Sequence, residues 1–307
     1  MTGAAQDHSR IGAAAMMVIA AMAGIGLIDN FIRLIAAEGG LWEFHLLRSL
    51  MALPMIAALA GLFGWRLRPV RPGPVLARSL FNSGSMLLYF GCLSLLPIGQ
   101  VVAGLFTAPI FILLISAAFY GARIKPMQGL AVALGFVGIL LILRLDAGGL
   151  SLLSVVPVVS GLLYAIGNIA TREWCQGENA LTLLFGFFTF MLVWGALGLG
   201  LLALFPLAVP PGADGFVLRG WVPPSAIFLL VTLVQAIGSI IGVGLIIRAY
   251  QIAQASRVAV FENTLLVFAA VWAWLIWGEA LGLVAMMGMI AVGIAGVLIA
   301  LPERAQP

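Results

Sequence analysis

The chain has 307 residues, 63% of them hydrophobic and only 8% charged, with a net charge of +4. That mix cannot clothe a water-soluble domain in polar surface, so soluble enzymes and nucleic-acid-binding modules are excluded and an integral membrane protein is expected. The excess of positive charge reads as membrane topology rather than as affinity for nucleic acid.

A helix of about 20 apolar residues crosses the hydrocarbon core of a bilayer. Ten such runs follow one another, at 11–35, 41–63, 77–96, 98–119, 127–144, 151–172, 181–205, 225–248, 252–277 and 280–301. Spanning strands would instead alternate over about 10 residues, which excludes a β-barrel. Run 1 is longer than a secretory signal core, offers no convincing cleavage site and carries Asp29, Asn30 and Arg33 toward its end, so it is read as a membrane helix. The longer connections, 64–76 and 206–224, are rich in proline and glycine and too short for cores of their own. No phosphate-cradling G-x-x-x-x-G-K-S/T loop is present, which points to a gradient as the energy source.

Basic residues gather on one side of these runs. Arg66, Arg68, Arg71 and Arg78 flank the 2/3 loop, Arg123 and Lys125 the 4/5 loop, Arg172 the 6/7 loop, and Arg248 and Arg257 the 8/9 connection. With Arg10 and Arg304, eleven of the fifteen basic residues share that side. The positive-inside rule makes it cytoplasmic, with both termini inside.

Residues 92–138 and 249–296 spell one pattern twice. At an offset of 157, Val101 matches Val258, Thr107 matches Thr264, Phe111 matches Phe268 and Gly121 matches Gly278; one inserted residue later Gly135 and Gly138 match Gly293 and Gly296. The fold expected is all-α, ten transmembrane helices as two five-helix repeats, 1–146 and 147–307, around a central cavity. Five is odd, so the copies must be inverted.

Read at the helical period, polar residues form stripes on runs 1, 3, 4, 6, 8 and 9. Run 3 aligns Arg78, Asn82, Ser85, Tyr89 and Cys92, and run 4 aligns Gln100, Gly104, Thr107 and Phe111. Run 6 aligns Pro157, Gly161, Tyr164, Asn168 and Thr171; run 8 aligns Phe228, Thr232, Gln235, Ser239 and Gly242. Such residues face either neighbouring helices, as hydrogen-bonding glue, or a wet cavity. The candidate cavity residues are Asn82, Tyr89, Gln100, Phe106, Tyr164, Asn168, Gln235, Glu262 and Asn263. Glu262 is either a proton-titrating or cation-binding carboxylate or the partner of Arg257 or Arg78 in a salt bridge. Asp29, with Arg33 and Arg48, is read as an outer gate or structural ion-pair cluster. Glu43 and His45 are expected to snorkel at the outer interface. Gly238 and Gly242 form a small-residue face, and Pro97, Pro109 and Pro157 mark helix interruptions.

The stretches "GLFTAPIFILLISAAFYGARI" and "FENTLLVFAAVWAWLIWGEAL", with the glycine-paired runs 5 and 10, resemble the EamA-like branch of the drug/metabolite transporter superfamily. The family's helix 4 proline is matched by Pro109 and its Gly-Glu pair after helix 9 by Gly278-Glu279. The resemblance implies ten helices in inverted repeats with a cavity lined by helices 1, 3, 4, 6, 8 and 9. Ala122 replaces the usual acid after helix 4, and Leu266 a proline expected early in helix 9. Phe261–Thr264 is similar to the F-E-Y-S/T stretch of relatives that carry riboflavin-like or nucleoside-bearing metabolites, with Asn263 in place of the aromatic.

The function expected is secondary transport of a small amphipathic metabolite (an amino acid, a nucleoside-like or flavin-like compound, or a drug) across the bacterial inner membrane, by proton-coupled or facilitative export. Its partners are that small molecule and the lipid bilayer, not nucleic acid; the sequence allows a homodimer without requiring one. Cys92 and Cys175 support neither a disulfide framework nor a zinc site, and no cofactor or metal is expected. An intramembrane enzyme lacks its chemistry, with histidines only at positions 8 and 45 and no H-E-x-x-H. A non-transporting subunit or sensor is the other alternative.

Overall fold

The structure, a computed structural model, describes residues 2–92, 101, 104–121, 126–143, 153, 155–278 and 282–300. Pro97, Gln100, Ala122, Arg123, Lys125, Glu279 and Arg304 lie outside the described residues. The helices are α1 (Thr2–Asp29), α2 (Ile32–Glu38), α3 (Leu41–Leu62), α4 (Pro72–Cys92), α5 (Ala108–Tyr120) and α6 (Pro126–Leu143). They continue as α7 (Val155–Glu173), α8 (Ala180–Leu204), α9 (Ala226–Ile252), α10 (Ala255–Glu262), α11 (Thr264–Trp277) and α12 (Leu283–Ala300). Among the described residues, six helical stretches are long and apolar enough to cross a membrane. Leu197, Leu201, Leu230 and Ile241 are among the apolar side chains they leave exposed, as a lipid-facing surface requires.

Helices pack in pairs: α3 on α8, α4 on α7, α1 on α9, and α6 on α12. Small residues permit the closest approaches. A Cβ on Gly161 of α7 would lie 2.6 Å from the carbonyl oxygen of Gly104, and one on Gly104 would overlap Pro157. The small-residue face of Gly238 and Gly242 admits Ile28 and Ile25 of α1. Ser85 and Ser160 bind α4 to α7 reciprocally, each hydroxyl donating at 2.8 Å to the other's carbonyl.

Three runs are broken rather than continuous. Run 1 stops at Asp29 and resumes as α2, while the Asn30 amide donates to the carbonyls of Gly26 (2.7 Å) and Ala269 (3.2 Å). Run 4 has turns at Phe106 and Thr107, and run 9 divides into α10 and α11 at Asn263. Runs 4 and 9 break by the same means: Thr107 Oγ1 donates to Gly104 O and Thr264 Oγ1 to Phe261 O, each at 2.6 Å. Their helices also end alike, on Gly121 (φ 64°) and Gly278 (φ 68°), left-handed caps suited to residues without a Cβ.

The bundle has two distinct ends. At the end that collects Arg66, Arg71 and Arg172, hereafter the basic end, the Glu178 carboxylate accepts from Val70 N at 3.0 Å and Arg71 N at 2.6 Å, just ahead of α4. Proline tolerates the first helical turn because it has no N–H to leave unpaired, so α4 starts at Pro72, five residues before run 3. Arg172 donates to Gln251 O at 2.9 Å and Gln251 Nε2 to Glu178 O at 2.8 Å, tying α7 and α9 into the same latch.

At the opposite, far end the 206–224 connection folds over the α2–α3 corner. Leu41 N donates to Phe216 O at 2.8 Å, Trp42 Nε1 to Val217 O at 2.8 Å, and Arg219 to the carbonyls of Ala36 (3.0 Å) and Gly39 (2.7 Å). A cation there complements the carbonyl end of α2. This cover corrects the expectation for Glu43 and His45, which are wholly buried rather than snorkelling. Val222 N donates to Glu43 Oε2, and the His45 ring lies against Phe44 and Phe90.

Candidate functional site

Where α1, α3, α4, α7, α9 and α10 face one another they leave a cavity between them. Six of the sequence-derived cavity residues line it: Asn82, Tyr89, Phe106, Tyr164, Asn168 and Glu262. Its middle is apolar, with Met22, Ile25, Met86, Phe187 and Leu265 on the wall. Charge is confined to two places.

Toward the far end, Asp29 of α1 and Arg48 of α3 both line the cavity. There Asp29 and Arg48 attract each other. Arg48 is buried, its guanidinium 4.9 Å from the ring centre of Phe44 and 5.7 Å from those of Phe90 and Phe188. Aromatic faces stabilise a cation electrostatically without consuming its N–H donors. Arg48 Nη2 meets His45 Nδ1 at 3.3 Å, whereas Nε has no partner. Arg33 takes no place on this wall; its guanidinium lies 4.1 Å from the ring centre of Trp277.

Toward the basic end the wall carries Arg78 and Asn82 of α4, Tyr164 and Asn168 of α7, and Glu262 of α10. Arg78 is only 2% exposed, so its charge must be met locally. Its Nε donates to Thr171 Oγ1 at 2.9 Å and Nη1 to Leu183 O at 3.0 Å; with the Asn82 amide turned to accept, that oxygen lies 3.1 Å from Nη2. Among the described residues, these bonds of Arg78 do not include Glu262. The Glu262 carboxylate faces the phenols of Tyr164 and Tyr250, and Tyr164 also feels the charge of Arg78. Asn168 extends this polar group, yet Glu262 Oε1, Asn168 Nδ2 and the Tyr250 hydroxyl make no well-formed bond.

Two expected residues point elsewhere. Gln235 donates at 2.7 Å to Ile28 O, one of the carbonyls that the end of α1 leaves without a helical partner. Asn263 is buried against α6, where its Nδ2 would lie 3.0 Å from a Cβ on Gly135, so the missing side chain there makes its room. Conversely, Tyr250 was not among the expected residues. It continues the stripe of run 8, from Ser239 through Ile246, but α9 extends to Ile252, four residues beyond the run. Arg78, which flanks the 2/3 loop and begins the stripe of run 3, sits about two turns inside α4.

Residues 12–144 match the EamA-like transporter family. The chain is similar to a riboflavin transporter from Rhizobium johnstonii, 28% identical over 245 residues, 80% of this chain and 74% of that protein. It is also similar to a pseudopaline exporter from Pseudomonas aeruginosa, 24% identical over 206 residues, 67% of this chain and 66% of that protein. A solved crystal structure superposes with a TM-score of 0.75 at 16% identity, covering 94% of this chain and 98% of the other, a likeness of fold alone. Together the sequence matches support a likeness to the drug/metabolite transporter family.

Proposed function

We propose, from this likeness, that the chain is a secondary transporter that exports a small amphipathic metabolite by alternating access around the central cavity. The observation that carries the reading is the cavity itself. It is largely apolar, as small-molecule sites usually are, with charges only at its two ends, and it is walled by helices from both halves of the chain. The relatives named for riboflavin transport and pseudopaline export favour a polar metabolite with apolar parts as cargo.

The halves, 1–146 and 147–307, act in this reading as inverted five-helix repeats that rock against each other. The paired threonine breaks and glycine caps of runs 4 and 9 support it, because unrelated helices have no reason to share them. The basic end faces the cytoplasm of a bacterium, by the positive-inside rule. Transport rather than catalysis is what the names of the relatives favour.

Glu262 is the coupling residue of this mechanism. A carboxylate held between two phenols can take up a proton with its neighbours rearranging little, and bound substrate would compete for the same oxygens. In proteoliposomes, riboflavin and amino acid flux should rise under a proton gradient, and Glu262→Gln should remove about tenfold of that stimulation. Flux that is insensitive to pH and unchanged by Glu262→Gln would sink the coupling role.

A further inference from the structure

We infer that the cavity takes an amphoteric molecule, with its anionic group at Arg48 and a hydrogen-bond-donating nitrogen at Glu262, joined by an apolar middle. This rests on the transport reading for its biological meaning and on the cavity alone for its chemistry. The starting point is which polar atoms on the wall lack partners. Arg48 Nε, Glu262 Oε1 and Asn168 Nδ2 are buried and unbonded, and all three belong to residues lining one cavity. A buried polar group without a partner is costly, and a ligand that supplies the partner recovers that cost.

The two arginines are not equivalent. Arg78 donates to Thr171 and Leu183 and is met by Asn82, which leaves it little to offer an incoming anion. Arg48 rests on aromatic rings and keeps Nε free, so its donors remain available. The carboxylates differ in the same way. Asp29 attracts Arg48, whereas Glu262 presents a free Oε1 beside two phenols. An anion is therefore favoured at the far end and a cationic or N–H donor at the basic end. Along α4, Tyr89 marks the far end and Asn82 the basic end, seven residues or about 10 Å apart at helical rise.

A tripeptide spans at most about 10 Å when extended and can carry both groups. Ala-Phe-Ala, its N-acetyl form, its C-terminal amide and the doubly blocked form therefore make a matched series, tested for binding to the purified protein in detergent by thermal shift and equilibrium titration. The free tripeptide should bind best, with each block weakening it about tenfold. Arg48→Gln should erase the difference between acid and amide while keeping the preference for a free amine; Glu262→Gln should do the reverse. Should Arg48→Gln fail to fold, Arg48→Lys keeps the charge and should retain the preference for the acid. Equal binding of all four, binding by none, or loss of both preferences in either single variant would overturn the inference. Selective binding without flux of Ala-Phe-Ala in proteoliposomes would instead remove the transport reading and leave the cavity chemistry standing.

Discussion

Gly161 shows how little room single residues have in this bundle. Its Cα sits where α7 crosses the broken helix before α5, and an added methyl would press on Gly104 O at 2.6 Å, a backbone atom that cannot swing aside. Gly61, near the end of α3, has nothing within 4 Å. Gly161→Ala should cost about 1–3 kcal/mol through overpacking, seen as a lower melting temperature in detergent. Gly61→Ala should be neutral or slightly stabilising, since alanine is the better helix former. At this scale the sequence is informative about type and less so about direction. Whether Gln235 looks into the cavity or caps Ile28 depends on a rotation of a few tens of degrees. Periodicity within one helix cannot supply that rotation, because it measures faces relative to each other and not to a neighbour.

At the scale of elements, helix ends decide what the cavity contains. Tyr250 stands beside Glu262 because α9 ends later than hydropathy drew it, and α4 likewise begins earlier than its run. Both extensions carry polar residues, and both are satisfied at the basic end by the latch of Glu178, Arg172 and Gln251. Cys175 lies inside that latch, fully buried, and burial pushes its thiol up to about 11. A raised thiol pKa leaves little thiolate at pH 7.5, so maleimide labelling there should be slow and should accelerate with rising pH. Glu178→Ala removes the acceptor ahead of α4 at a cost of about 1 kcal/mol, which should open the latch and speed labelling of Cys175 about fivefold. Labelling that is already fast in the parent protein, or unchanged in Glu178→Ala, would show that the latch does not guard this thiol.

For the whole molecule, orientation is the property with the broadest consequence, since it sets which end of the cavity meets the cytoplasm. Both native cysteines are buried, so introduced ones report cleanly. In intact cells a membrane-impermeant maleimide should label Pro211→Cys at the exposed far end and leave Arg68→Cys at the basic end unlabelled until the membrane is opened. The opposite pattern would reverse the direction of every step proposed here. Much of this scale was legible in advance. Ten apolar runs, one-sided arginines and a pattern repeated at an offset of 157 follow from composition and order, because the bilayer demands apolar length and imposes its charge asymmetry on any chain. The sequence by itself thus determined the membrane class and the order of its apolar runs. Only the tertiary structure decided that Asp29 and Arg48 line the cavity, that Glu262 faces two tyrosines, and that Asn263 turns away. The physical reason is common to all three. Partnership between helices depends on crossing points, breaks and close glycine contacts, which bring together residues as far apart as 29 and 235 or 164 and 262, and no single helix encodes those distances.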